Sequence, residues 1–169
     1  DQVDVLKEHI LEYLGEIYKL EMTDKQGGEL LLLIKGIDDI ERIADTVRSD
    51  VIPLARAAHA QDVESTDTTR HILQALYQKV CLAVQQATEA IGDVDQNKAL
   101  EVINMKSEVD GLIDDALQYQ ASRVAPTTPD SIATFRMEDD VIDAMRRIYR
   151  LSKRVAKLML PDVISIKEA

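Results

Sequence analysis

Apolar positions in this chain recur three and four residues apart, the period of a helix packed lengthwise on its neighbours and not the alternation of a strand. The longest such row is Leu30, Leu33, Ile37, Ile40, Ala44, Val47, Val51, Leu54 and Ala58. It predicts one helix from 30 to 58 at the centre of a bundle. Pro53 falls inside it and predicts a bend, because proline lacks the N–H and its ring crowds the preceding turn. One step round the same helix lie Ile34, Asp38, Glu41, Asp45, Arg48, Ile52 and Ala55, a row apolar at both ends and acidic in its middle. Carboxylates in a row that otherwise joins the core need a counter-charge or a cation. Asp38, Glu41 and Asp45 are therefore the first candidate site.

The other elements follow from the same spacing. Val3, Leu6, Ile10, Ile17 and Leu20, widened by Leu14 and Tyr18, predict a first helix over 3–22, with Gly15 at a close helix contact. Thr23 and Asp24 suit the cap of the second helix. His59 to Thr66 reads as a polar loop. Ile72, Leu76, Val80, Ala83, Ala87 and Ala90 predict a third helix over 67–91, stopped by Gly92. Asp93 or Asp95 caps a fourth that runs to Val124 through Val102, Met105, Val109, Leu112, Ala116 and Tyr119. Thr128 and Pro129 start a fifth, which Pro161 ends. Five long helices with short connections predict an all-α antiparallel bundle over 1–169 as a single domain.

Composition agrees: 46% of the 169 residues are hydrophobic but only 4% aromatic, with six Gly and four Pro. The formal net charge of −11 disfavours nucleic acid and anionic membrane surfaces as direct partners and favours cations. No apolar run approaches the roughly 20 residues that cross a bilayer. The single Cys81 rules out an internal disulfide framework and reads as a buried structural thiol. The chain begins at Asp1 and not at Met, as a segment excised from a longer protein would; a processed or tagged chain looks the same.

Several chemistries drop out on spacing. A di-iron carboxylate site needs His three residues after Glu on two helices; Leu6, Arg56 and Thr68 stand three before His9, His59 and His71. Gly27-Gly28 opens no phosphate loop, and the three His read as surface residues. The acidic row survives. Glu41 and Asp45 face one way and suit one hard cation. On the fourth helix Ala99, Ile103, Lys106, Asp110, Ile113 and Leu117 form a similar row. If the two helices pack together, Asp110 adds a third oxygen, while Lys106, Arg42 or Arg48 could instead neutralise the acids. The two readings, metal and internal salt bridge, stand side by side. On the fifth helix, Glu138, Asp139, Asp140 and Asp143 precede Arg146, Arg147, Arg150, Lys153, Arg154 and Lys157. That order suits the helix dipole and reads as a solvated face or a docking surface for an acidic partner. Asp143 with Arg147 is its favourable four-residue pair.

Asp39-Ile40-Glu41-Arg42-Ile43-Ala44-Asp45 resembles the E-x-x-x-D metal motif of the PhoU family of phosphate-uptake regulators. Lys106 to Asp110 and the Met-Arg-Arg-Ile segment at Met145 extend the resemblance along the chain. The latter is most similar to the PhoU-like cytoplasmic tail of bacterial sodium/phosphate cotransporter-family membrane proteins. The resemblance implies a helical bundle that regulates phosphate transport by protein contact and not by catalysis. It would lie at the inner face of the plasma membrane, next to the transmembrane transporter domain of its own protein or a phosphate-signalling protein, with a homo-oligomer compatible. It carries over Glu41 and Asp45 as metal-motif positions for a divalent or transition-metal ion. The second copy of the motif falls on Arg146 and Arg150, which implies one weak site or none. The rival readings are a stand-alone regulator of the same family and, from the enzyme class, a metal-dependent helical hydrolase.

Overall fold

A computed structural model describes residues 2–60, 65–123 and 129–160. It is an all-α bundle with no strand among the described residues. Helix α1 spans Gln2–Tyr18 and α2 spans Asp24–Thr46; a π-helical turn, Val47–Val51, carries α2 straight into α3, Ile52–Ala60. Then come α4 (Asp67–Gly92), α5 (Gln96–Asn104), α6 (Lys106–Ser122) and α7 (Pro129–Lys157). Only Met105 separates α5 from α6, so the helices make five rods, as the periodicity predicts. The Thr128 cap, the stop at Pro161, the predicted helix end at Val124 and much of the loop after Ala60 lie outside the described residues.

Local chemistry accounts for the boundaries. Thr23 and Gln26 form a reciprocal capping box at the start of α2. Thr66 caps α4 and Asp95 caps α5 through their side-chain oxygens. Where a bend is predicted stands a π turn, in which Ile52 N–H donates to Val47 C=O just before the proline that has no N–H to offer. Gly92 ends α4, but the left-handed residue of that connection is Val94, with φ of 54°. Helix α1 stops at Tyr18, short of the predicted Met22, after which Lys19 and Leu20 close a tight turn onto Glu16 and Ile17 carbonyls.

Packing departs from the expected centre. Helix α7 touches α2, α3, α4, α5 and α6, and Ile142, Met145, Ile148, Tyr149, Val155 and Ala156 are buried on it. It is the central rod, and α2 lies between it and α1. The face α2 buries holds Gly36, Asp39, Ile43 and Thr46; in the predicted seam Ile40 is half-buried and Leu33 and Val47 are exposed. Gly36 is where two rods meet closely, since a Cβ there would lie 3.0 Å from Leu158 Cδ1 and 3.4 Å from Ile91 Cδ1. Gly15 has no such role: nothing lies within 4 Å of its would-be Cβ. Cys81 is exposed, not the buried thiol expected from its neighbour Val80.

Candidate functional site

The acidic row of α2 faces α1. The turn after Tyr18 folds α2 back along α1, so low residue numbers on one helix meet high ones on the other. Lys7 Nζ lies 2.9 Å from Asp38 Oδ1 and 3.2 Å from Glu41 Oε2. One turn along, Arg48 reaches Asp45 at 2.5 Å and Asp4 at 3.5 Å. The two carboxylates beside Lys7 hold its ammonium above the usual lysine range, Asp38 most strongly.

Asp4, Glu41 and Asp45 each offer one oxygen, and the three lie within 4.8 Å of one another. Glu41 and Asp45 are thus brought together as predicted, and the third carboxylate is Asp4. Asp38 sits beside them on Lys7. Asp110 does not join: α5 and α6 pack on α4 and α7 and stay away from the α1 face of α2. There Asp110 pairs with Lys106 of its own helix, which holds its carboxyl below the usual range with help from Lys153 and Arg146. Lys106 therefore neutralises Asp110, and the acids of α2 are neutralised by Lys7 and Arg48. Asp4 and Lys7 were legible only as members of the row Asp4, Lys7, Leu11, Leu14 on α1, and nothing in that row names the helix opposite.

The chemistry open to this cluster is modest. Calcium takes about 6–8 oxygens; three carboxylates could hold one hydrated cation, and only by drawing Asp45 away from Arg48. The groups are all partly exposed, so water already screens their repulsion.

Two other charged groups lie deeper, and sequence reasoning missed both. Asp39 is buried, and Arg154 Nη2 stands 3.0 Å from its Oδ1 without donating a hydrogen bond to it. Glu138 is buried at the other end of the bundle. Arg123 donates to both of its oxygens and Ser65 Oγ to one, at 3.2 Å. Arg123 also lies over the Tyr119 ring, 5.6 Å from its centroid. This lock ties the end of α6 to α7. On α7 the favourable partner of Asp143 is Arg146, at 2.7 Å, and Arg147 reaches Asp50 of the π turn instead, at 2.8 Å.

His9, His59 and His71 are all exposed. No helix among the described residues is long and apolar enough to cross a membrane. No family model, no curated protein and no solved structure matches the chain.

Proposed function

We propose that this chain is a non-enzymatic, PhoU-like regulatory domain that acts on phosphate transport through protein contacts. The observation that carries the reading is the E-x-x-x-D pair, Glu41 and Asp45, set one turn apart on a long helix, with Asp4 closing the cluster within 4.8 Å. Lys7 and Arg48 already offset these acids. Any cation there competes with two internal bases and is held weakly, so the cluster tunes the α1–α2 contact and does no chemistry. Its place is the cytoplasmic side of a transporter to which the domain is attached.

The test is uptake of labelled phosphate by cells carrying the intact gene and by cells in which the codons for this chain are deleted. A changed uptake rate, or lost dependence on external phosphate, supports the reading. Identical uptake kinetics in both strains would sink it.

A further inference from the structure

We infer that the α1–α2 hairpin is a dimerisation surface whose occupant is a second copy of this chain. Among the described residues helix α1 packs mainly along α2, burying Leu14 and using Asp4 and Lys7 for ion pairs to α2 and the π turn. About a quarter turn round the same helix runs a second apolar row, Leu6, Ile10, Tyr13 and Ile17, at the four-three-four spacing of a helix seam, with Leu20 in the turn just beyond it. All of these but Ile17 are exposed. On the second rod Leu33 and, in the π turn, Val47 are exposed too; Ile37, Ile40 and Ala44 between them are half-buried, Ile40 partly against the core. That row also lies about a quarter turn from the residues that face α1, and the right-handed winding of both helices turns the two rows to the same side. The hairpin thus presents one continuous apolar face.

Its six most open members, Leu6, Ile10, Tyr13, Leu20, Leu33 and Val47, are 38–68% exposed. Together they leave on the order of 600 Å² of apolar surface uncovered, the upper end for a lone folded chain. Two copies face to face would hide about 1,200 Å², the lower end for a specific dimer. Packed antiparallel, with Leu6 against Ile17 of the second copy, the rows complete a four-helix bundle of two hairpins. The same register sets His9 of one copy beside Glu16 of the other. A lipid surface fits poorly, because Glu8, Glu12 and Glu16 flank the row where interfacial helices carry Lys and Arg.

The experiment is sedimentation equilibrium of the 169-residue chain across a wide concentration range, with Tyr13→Glu and Leu33→Glu alongside. Both positions are exposed in the single chain, so far-UV helicity should persist and confirms folding; either variant alone suffices if the other unfolds. The expected result is a concentration-dependent dimer, weakened about tenfold or more by each change, as loss of a buried apolar anchor implies. A chain that stays monomeric, whether free in solution or bound to phosphatidylglycerol vesicles, overturns the inference, and so does a dimer indifferent to both substitutions. In a Cys81→Ser background, Leu6→Cys and Ile17→Cys chains should form a disulfide when mixed. Leu6→Cys linking readily to itself would overturn the antiparallel register.

Discussion

Asp39 of α2 and Arg154 of α7 form an ion pair across the contact between the two rods, 3.0 Å apart, with the carboxylate buried and the guanidinium largely in water. Burial raises the Asp39 pKa above 3.8; Arg154 and then Arg42 oppose that rise, and Asp38 adds to it. The folded state therefore holds this proton more tightly than the unfolded chain. The stability linked to it is present in full below the unfolded value and is lost as pH rises through the folded one. Asparagine, neutral throughout, removes that dependence. Asp39→Asn should gain stability relative to the parent more at about pH 7 than at about pH 3, which lies below the unfolded value, read by urea denaturation. An equal difference at both pH values would mean that Arg154 fully offsets the burial.

Lys7 provides the second prediction. If it is the main counter-charge of the acidic row, Lys7→Met should lower the melting temperature and leave Asp38 and Glu41 in need of a cation. Magnesium or manganese should then raise the melting temperature of Lys7→Met more than that of the parent, where the rise should be about 1–2 °C at concentrations near the dissociation constant. Glu41→Gln with Asp45→Asn should abolish both responses. Tight binding of two or more ions per parent chain, surviving dialysis, would refute the weak-site reading.

Burial separates two positions that share an apolar row pattern. Leu76 is fully buried, so Leu76→Ala should cost about 2–5 kcal/mol. Ile40 is half-buried, and Ile40→Ala should cost less, about 1 kcal/mol. Denaturation midpoints of both variants measure the contrast, and equal losses would place Ile40 in the core after all.

Val94 is 73% exposed yet holds a φ of 54°, a conformation that crowds a β-branched side chain. Val94→Gly should stabilise the chain by about 1 kcal/mol, since strain is relieved and almost no packing is lost. A thermal melt that shows no gain would argue against strain at this turn.

Helix α4 was legible because every member of its predicted row is apolar and the adjoining Leu73, Val84 and Ile91 pack on the same core: Leu76, Val80, Ala83, Ala87 and Ala90 are all buried. On α2 two apolar rows compete, and the face that is buried contains a glycine, an aspartate and a threonine, none of which hydrophobicity marks. Asp39 becomes legible only when Arg154, on a rod far along the chain, is placed against it. The candidate site divides in the same way. Glu41 and Asp45 share a face by helical spacing alone, whereas Asp4 and Lys7 depend on which rod lies across the gap. The predicted neighbour, the helix carrying Asp110, packs on α4 and α7 instead.

The π turn at Val47–Val51 bears on what lengths of chain this fold accepts. Such a turn is a helix that has taken in one residue more than regular winding needs. Losing one residue here restores an ordinary helix and leaves both flanking stretches facing as they do now. Losing one elsewhere in α2 turns everything beyond it by about 100° and carries Asp39 or Glu41 away from its partner. A one-residue deletion along this rod is therefore absorbed at the π turn and punished before it.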